Sequence, residues 1–229
     1  MLEFFIAPTI IILFTAICSL RGWNDRLFFE RYKFQIDAVK SGERERILTS
    51  CFLHIDFTHF FTYSVILFFS AEIVIKSIGN LGFLIMYFTS PIIGGILTII
   101  VNKNYPEYSV VGMGTSVNSV LFSSILLNGN KKFLFIFFNI EIPIFYLGIL
   151  FFLYSIYGFY ENNVATNPKT GGAHSFVSNL GGIFIGITIT LILKPELFLS
   201  YITLTFLILS FVSIVLLNRN SKRTKKEIN

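Results

Sequence analysis

Long apolar runs alternate with short polar breaks along the whole chain. The runs fall at about 5–20, 56–75, 80–101, 110–128, 133–158, 175–193 and 199–217, each near the roughly 20 residues a helix needs to cross a bilayer's hydrocarbon core. Seven membrane-spanning helices are predicted. Turn chemistry marks the breaks: Gly79-Asn80, Asn102 to Pro106, Asn128-Gly129-Asn130, 162–172 and Lys194-Pro195. One longer segment, 21–55, mixes Trp23, Phe28, Phe29, Tyr32 and Phe34 with Arg26, Glu30, Arg31 and Lys33, as expected of a segment lying among lipid headgroups.

Composition settles the solvent. A hydrophobic fraction of 54% and 28 Phe leave too little polar surface to coat a soluble globule of 229 residues. Within lipid every backbone polar group must be paired inside the protein, and uninterrupted runs of this length select helices over a barrel. The net charge of +5 comes from Lys and Arg beside the runs and in the tail, so it reads as membrane-flanking charge, with no nucleic-acid partner expected. Cys18 and Cys51 show no spacing for a disulfide framework or a metal, and no cofactor is expected. Met1-Leu2-Glu3 lacks the basic start of a signal peptide, so the first run reads as a retained span. The tail 218–229, carrying Arg219, Lys222, Arg223, Lys225 and Lys226, is expected to be disordered.

Polar residues inside a membrane are costly and therefore candidates for function. Three clusters stand out: His54-Ile55-Asp56-Phe57-Thr58-His59; Gly112-Met113-Gly114-Thr115-Ser116-Val117-Asn118-Ser119; and Ala173-His174 through Asn179, Gly182 and Gly186. The run from Thr49 to His59 resembles the start of the second span of rhomboid intramembrane serine proteases. Val111-Gly112 and Gly182-Ile183-Phe184-Ile185-Gly186 fall where that family keeps its fourth-span serine motif and its sixth-span Gly-x-x-x-Gly. The resemblance covers about 5–197 and implies a six-helix core, residues 1–197, with 198–229 as an additional C-terminal transmembrane helix and basic tail.

The same resemblance exposes departures at the reacting positions. In the family a serine attacks the peptide carbonyl, a histidine three residues before the first sixth-span glycine serves as base, and a histidine and an asparagine four residues apart on the second span hold the oxyanion. Aligned without a gap, the nucleophile position is Gly114, the base position is Asn179, and His59 is followed four residues on by Tyr63. A frame shifted by two makes Ser116 the nucleophile, with His174 as its base, but puts Val117 and Leu121 where the family keeps small residues.

Plainer readings compete at each position. Gly112, Ser116, Ser119 and Ser123 form a small-residue packing stripe, His54 and His59 suit hydrogen-bonded structural roles, and His174 in Gly-Gly-Ala-His-Ser suits a solvated turn. A transporter or channel would line its path with more buried charge than Glu72, Lys76 and Glu141 supply. The sequence thus points to an all-α polytopic membrane protein of rhomboid type with a degenerate active site, a pseudoprotease binding transmembrane clients in a bacterial cytoplasmic membrane. The alternative is an active serine endopeptidase using Ser116 and His174. Lys and Arg counts place the 21–55 segment and the tail on the cytoplasmic side, whereas the resemblance implies the opposite orientation.

Overall fold

The computed structural model describes residues 3–130, 132–135, 140–164 and 176–208. The expected disordered tail, residue 174 and most of the 162–172 break lie outside them. Helix α1 (Glu3–Asn24) is the first span, and α5 (Phe57–Val101) contains the next two. Gly79, at φ 79° and ψ 168°, breaks α5 into arms 57–78 and 80–101, because this backbone conformation is open to glycine and rarely to other residues. Tyr63 of the first arm and Gly94 of the second both reach the start of α6 (Gly114–Asn128), so the arms run antiparallel.

Helix α6 is the centre of the bundle, with twelve of its fifteen residues buried. At 1.5 Å per residue it spans about 22 Å, short of the roughly 30 Å hydrocarbon core. Enclosure of most of its length by neighbouring helices makes that length workable, since protein rather than lipid surrounds it. On one side Met113, Val117 and Val120 pack with Tyr63, Leu67, Phe83, Met86 and Tyr87 of α5. On the other side Phe122 and Ile125 pack with Phe145 and Phe152 of α7 (Ile144–Val164), Ile183 and Ile187 of α8 (Phe176–Leu193), and Phe206 of the helical stretch 201–208.

The contact between α6 and α8 is made by backbone. A Cβ added to Gly182 would stand 2.1 Å from the Thr115 carbonyl oxygen, and one added to Gly186 would stand 2.2 Å from that of Ser119. Both pairs step by four residues in the same direction, so α6 and α8 run parallel. Gly181 meets the Gly94 backbone, bringing the second arm of α5 into the same crossing. Hydroxyl pairs bridge the seam: Thr115 Oγ1 to Ser178 Oγ at 2.5 Å and Thr190 Oγ1 donating to Ser123 Oγ at 2.6 Å. Small residues that admit close approach, with hydroxyls between them, are how helices associate in lipid.

Two stretches depart from the expected spans. Residues 132–135 and 140–143 form an antiparallel pair, β3 (Lys132–Phe135) and β4 (Ile140–Pro143), where the sequence pattern extends the fifth span back to 133. A run of Phe and Ile satisfies strand and helix alike, and Pro143 disfavours helix at the residue before it. The fourth span starts at Gly114 rather than 110, because Ser109–Val110 forms β2 and pairs with β1 (Phe34–Gln35). Of the proposed C-terminal segment 198–229, the described residues reach 208.

The 21–55 segment folds into a cap with its own small core. Helices α2 (Arg26–Tyr32), α3 (Ile36–Lys40) and α4 (Arg46–Thr49) are too short to stand alone and depend on tertiary contacts. Phe34, Ile36 and Val39 are buried against Ile47, Ile99, Tyr108 and Val110. Arg46, a residue 8% exposed, donates from its guanidinium to the carbonyls of Glu30 and Lys33 and pairs with Glu43 at 2.6 Å.

Candidate functional site

The site lies where the cap, the start of α5, the start of α6 and α8 converge. Asp56 caps α5, its Oδ1 accepting the His59 N–H at 2.7 Å, and so sets the first turn that carries His59 and Tyr63. The rings of His54, His59 and Tyr63 stack edge to face in series, with centroids 4.9 and 5.1 Å apart. Gly112 passes directly over them. Its φ of +110° lies in the left-handed region, and a Cβ there would sit 2.8 Å from His59 Cε1, so both backbone and space call for glycine. The Gly112 N–H donates to the Ser50 carbonyl at 3.0 Å, and β1–β2 pairing lies just upstream, so the approach to α6 is clamped by the cap.

His54 is a buried structural bridge. The Met113 N–H donates to its Nε2 at 3.4 Å, its Nδ1 lies 3.1 Å from Ser19 Oγ, and Ser19 Oγ reaches the Phe52 carbonyl at 3.1 Å. That pattern assigns the proton to Nδ1, leaving Nε2 as an acceptor. Burial first, and the neighbouring His59 second, push the imidazole down to about 3. The neutral ring thereby ties α1 to the first turn of α6, and the Trp23 indole N–H adds a bond to the His54 carbonyl at 2.7 Å.

Gly114 stands opposite Asn179 and Tyr63. A Cβ at Gly114 would meet Asn179 Oδ1 at 2.9 Å and the Tyr63 ring carbon Cζ and hydroxyl oxygen at 3.3 Å. The Tyr63 hydroxyl and the Asn179 carboxamide both face position 114, and both residues are 7% exposed. Together they occupy the volume into which a side chain at position 114 would project. At neutral pH a carboxamide and a phenol donate and accept hydrogen bonds but neither takes up a proton as a general base.

Ser116 points elsewhere. Its hydroxyl donates to the Tyr87 carbonyl on the second arm of α5 at 2.7 Å, and the residue is fully buried. The structure brings positions 59, 63, 114 and 179 together and turns Ser116 towards α5. His174, the base of that alternative, lies outside the described residues. Cys51, close by, is buried, and that burial pushes its thiol up to about 12. Among the described residues no group of three His, Cys, Asp or Glu converges as a metal site.

Asn118 escaped the sequence reading as a separate feature. It lies one helical turn below Gly114 on the same face of α6, is 1% exposed, and neither atom of its carboxamide has a hydrogen-bond partner among the described residues. The signal was present: an amide four residues after the nucleophile position, in a helix whose other residues, its terminal Asn128 apart, are small or apolar.

No curated protein matches this chain significantly. A family comparison, in contrast, matches the rhomboid domain over residues 41–196, which includes positions 54, 59, 63, 112, 114, 116 and 179 and well over half of the sequence. The chain therefore belongs to the rhomboid family of integral membrane proteins.

Proposed function

We propose that this protein is a rhomboid-fold pseudoprotease that binds transmembrane clients without cutting them, in a bacterial cytoplasmic membrane. The observation that carries the reading is Gly114, which has no side chain and faces the carboxamide of Asn179 and the phenol of Tyr63. Acyl transfer needs an activated nucleophile and a base in contact with it. In the family both sit at these positions; here the first has no side chain and the second is an amide. The Ser116 hydroxyl is committed to a backbone carbonyl on the far side of α6, so it supplies no replacement. What the site retains is a cluster of buried hydrogen-bonding side chains, Tyr63, Asn118 and Asn179, inside the rhomboid fold.

The test compares wild type, Ser116→Ala and His174→Ala on one transmembrane substrate in the same lipid, followed by crosslinking from a photoreactive residue placed at position 63. No cleavage by any of the three, with crosslinks to a transmembrane helix, is the expected result. Cleavage abolished by both substitutions would establish the serine endopeptidase instead.

A further inference from the structure

A groove of about 650 Å³ opens on the outer side of the cap, within the roughly 300–1,000 Å³ range of small-molecule sites. Its walls come from the end of α1, from α2 and from the turn before α5, through Trp23, Arg26, Phe29, Glu30, Ile55 and Asp56. One apolar span ends at Asn24 and the next begins at Phe57, so the groove sits where hydrocarbon gives way to headgroups. We propose that it is a binding site for a single aminophospholipid, one whose headgroup joins a phosphate to a primary ammonium.

The charges select that chemistry. Arg26 is exposed and makes no hydrogen bond or ion pair with a described residue, which leaves its guanidinium to a phosphate. Glu30 is paired with Lys33 at 2.6 Å. Asp56 uses Oδ1 to cap α5, leaving the other oxygen of an exposed carboxylate facing the groove. One cation and one available anion complement a zwitterion. A primary ammonium can donate to Asp56, whereas a quaternary one has no N–H to give.

The apolar parts continue the fit. The Trp23 indole N–H is held by the His54 carbonyl, so the ring is fixed and presents carbon to the groove beside Phe29 and Ile55. Ile10, Leu13, Ile17 and Leu20 form an exposed row along α1, at 62%, 59%, 65% and 52% exposure, leading up to the groove. From Leu20 to Ile10 the helix rises about 15 Å, the depth of one leaflet, so an acyl chain can follow the row from a headgroup anchored above.

The experiment is native mass spectrometry of the whole protein released from nanodiscs of equal dioleoyl phosphatidylethanolamine, phosphatidylcholine and phosphatidylglycerol. Wild type is expected to retain one phosphatidylethanolamine in preference to the others. Arg26→Gln should lower that retention by about fivefold, the scale of one interfacial Arg contact. Asp56→Asn keeps an oxygen to cap α5, so it should remain folded while losing the preference for phosphatidylethanolamine over phosphatidylcholine. Melting temperatures matching wild type verify both variants. Equal retention of the three lipids by wild type, dominance of phosphatidylglycerol, or unchanged phosphatidylethanolamine retention in either variant would each overturn the proposal.

Discussion

Replacing Gly186 by Ala tests whether α6 and α8 are held by backbone contact. The added Cβ would fall 2.2 Å from the Ser119 carbonyl oxygen, whereas an ordinary C···O contact needs about 3.3 Å. A carbonyl in mid-helix cannot swing away as a side-chain tip can, so α8 must withdraw by about 1 Å. The withdrawal carries the Thr190–Ser123 hydrogen bond from 2.6 Å beyond hydrogen-bonding range, losing about 0.6 kcal/mol on the scale measured between membrane helices. Overpacking adds about 1–3 kcal/mol, and the better helix propensity of Ala returns about 1 kcal/mol. The net loss is about 2 kcal/mol, a fall of about 4–8 °C in melting temperature for a chain of this length. Gly95→Ala is the control: its Cβ would meet side chains only, the nearest being Ile47 Cγ2 at 3.1 Å, with no backbone atom in the way, and the melting temperature should fall by less than for Gly186→Ala. Both are read by tryptophan fluorescence in detergent, with Trp23 as reporter. Equal melting temperatures for Gly186→Ala and Gly95→Ala would refute the reasoning.

His54 makes stability fall with acid. Its folded pKa, about 3, lies below the ordinary histidine value of 6.5, so the unfolded chain binds the proton more readily between those values. The stabilising contribution is complete above pH 6.5 and declines by about 1.4 kcal/mol per pH unit as pH falls towards 3; denaturant unfolding at pH 7.0 and 5.0 should differ accordingly, and His54→Gln should reduce the difference. Gly114→Ser should fold with a modestly lowered melting temperature, since its Cβ meets only side-chain atoms, and should still cleave nothing, because Asn179 accepts no proton. Adding Asn179→His should give the first variant whose position-114 serine is modified by a fluorophosphonate; modification of the single variant would contradict the role given to Asn179.

Much of this architecture was legible in the chain because it rests on local spacing. Gly182 and Gly186 announce a close helix contact by their interval alone, and the gap-free alignment across Gly112 already seats Gly114 opposite Asn179. The hairpin at 132–143 was hidden because a Phe- and Ile-rich run has the same apolar content as a strand or a helix. The cap's core was hidden for a different reason. Phe34, Ile36 and Val39 are covered by Ile99, Tyr108 and Val110, 60 or more residues onward, and no local period reports such a pairing. His54 reads as a possible structural residue in sequence, but its role as a bridge depends on Ser19 and Met113, 35 and 59 residues away. Ser116 looked like a nucleophile candidate only until its rotation on α6 placed its hydroxyl on the Tyr87 carbonyl.

The central claim is that the chain carries no activated serine. Treating wild-type protein in its native membranes with a fluorophosphonate and mapping adducts by peptide mass spectrometry tests it most directly, because such a reagent marks serines that a base has activated whatever the substrate. The account predicts no adduct at Ser116. A stoichiometric adduct at Ser116 that disappears in His174→Ala would contradict it.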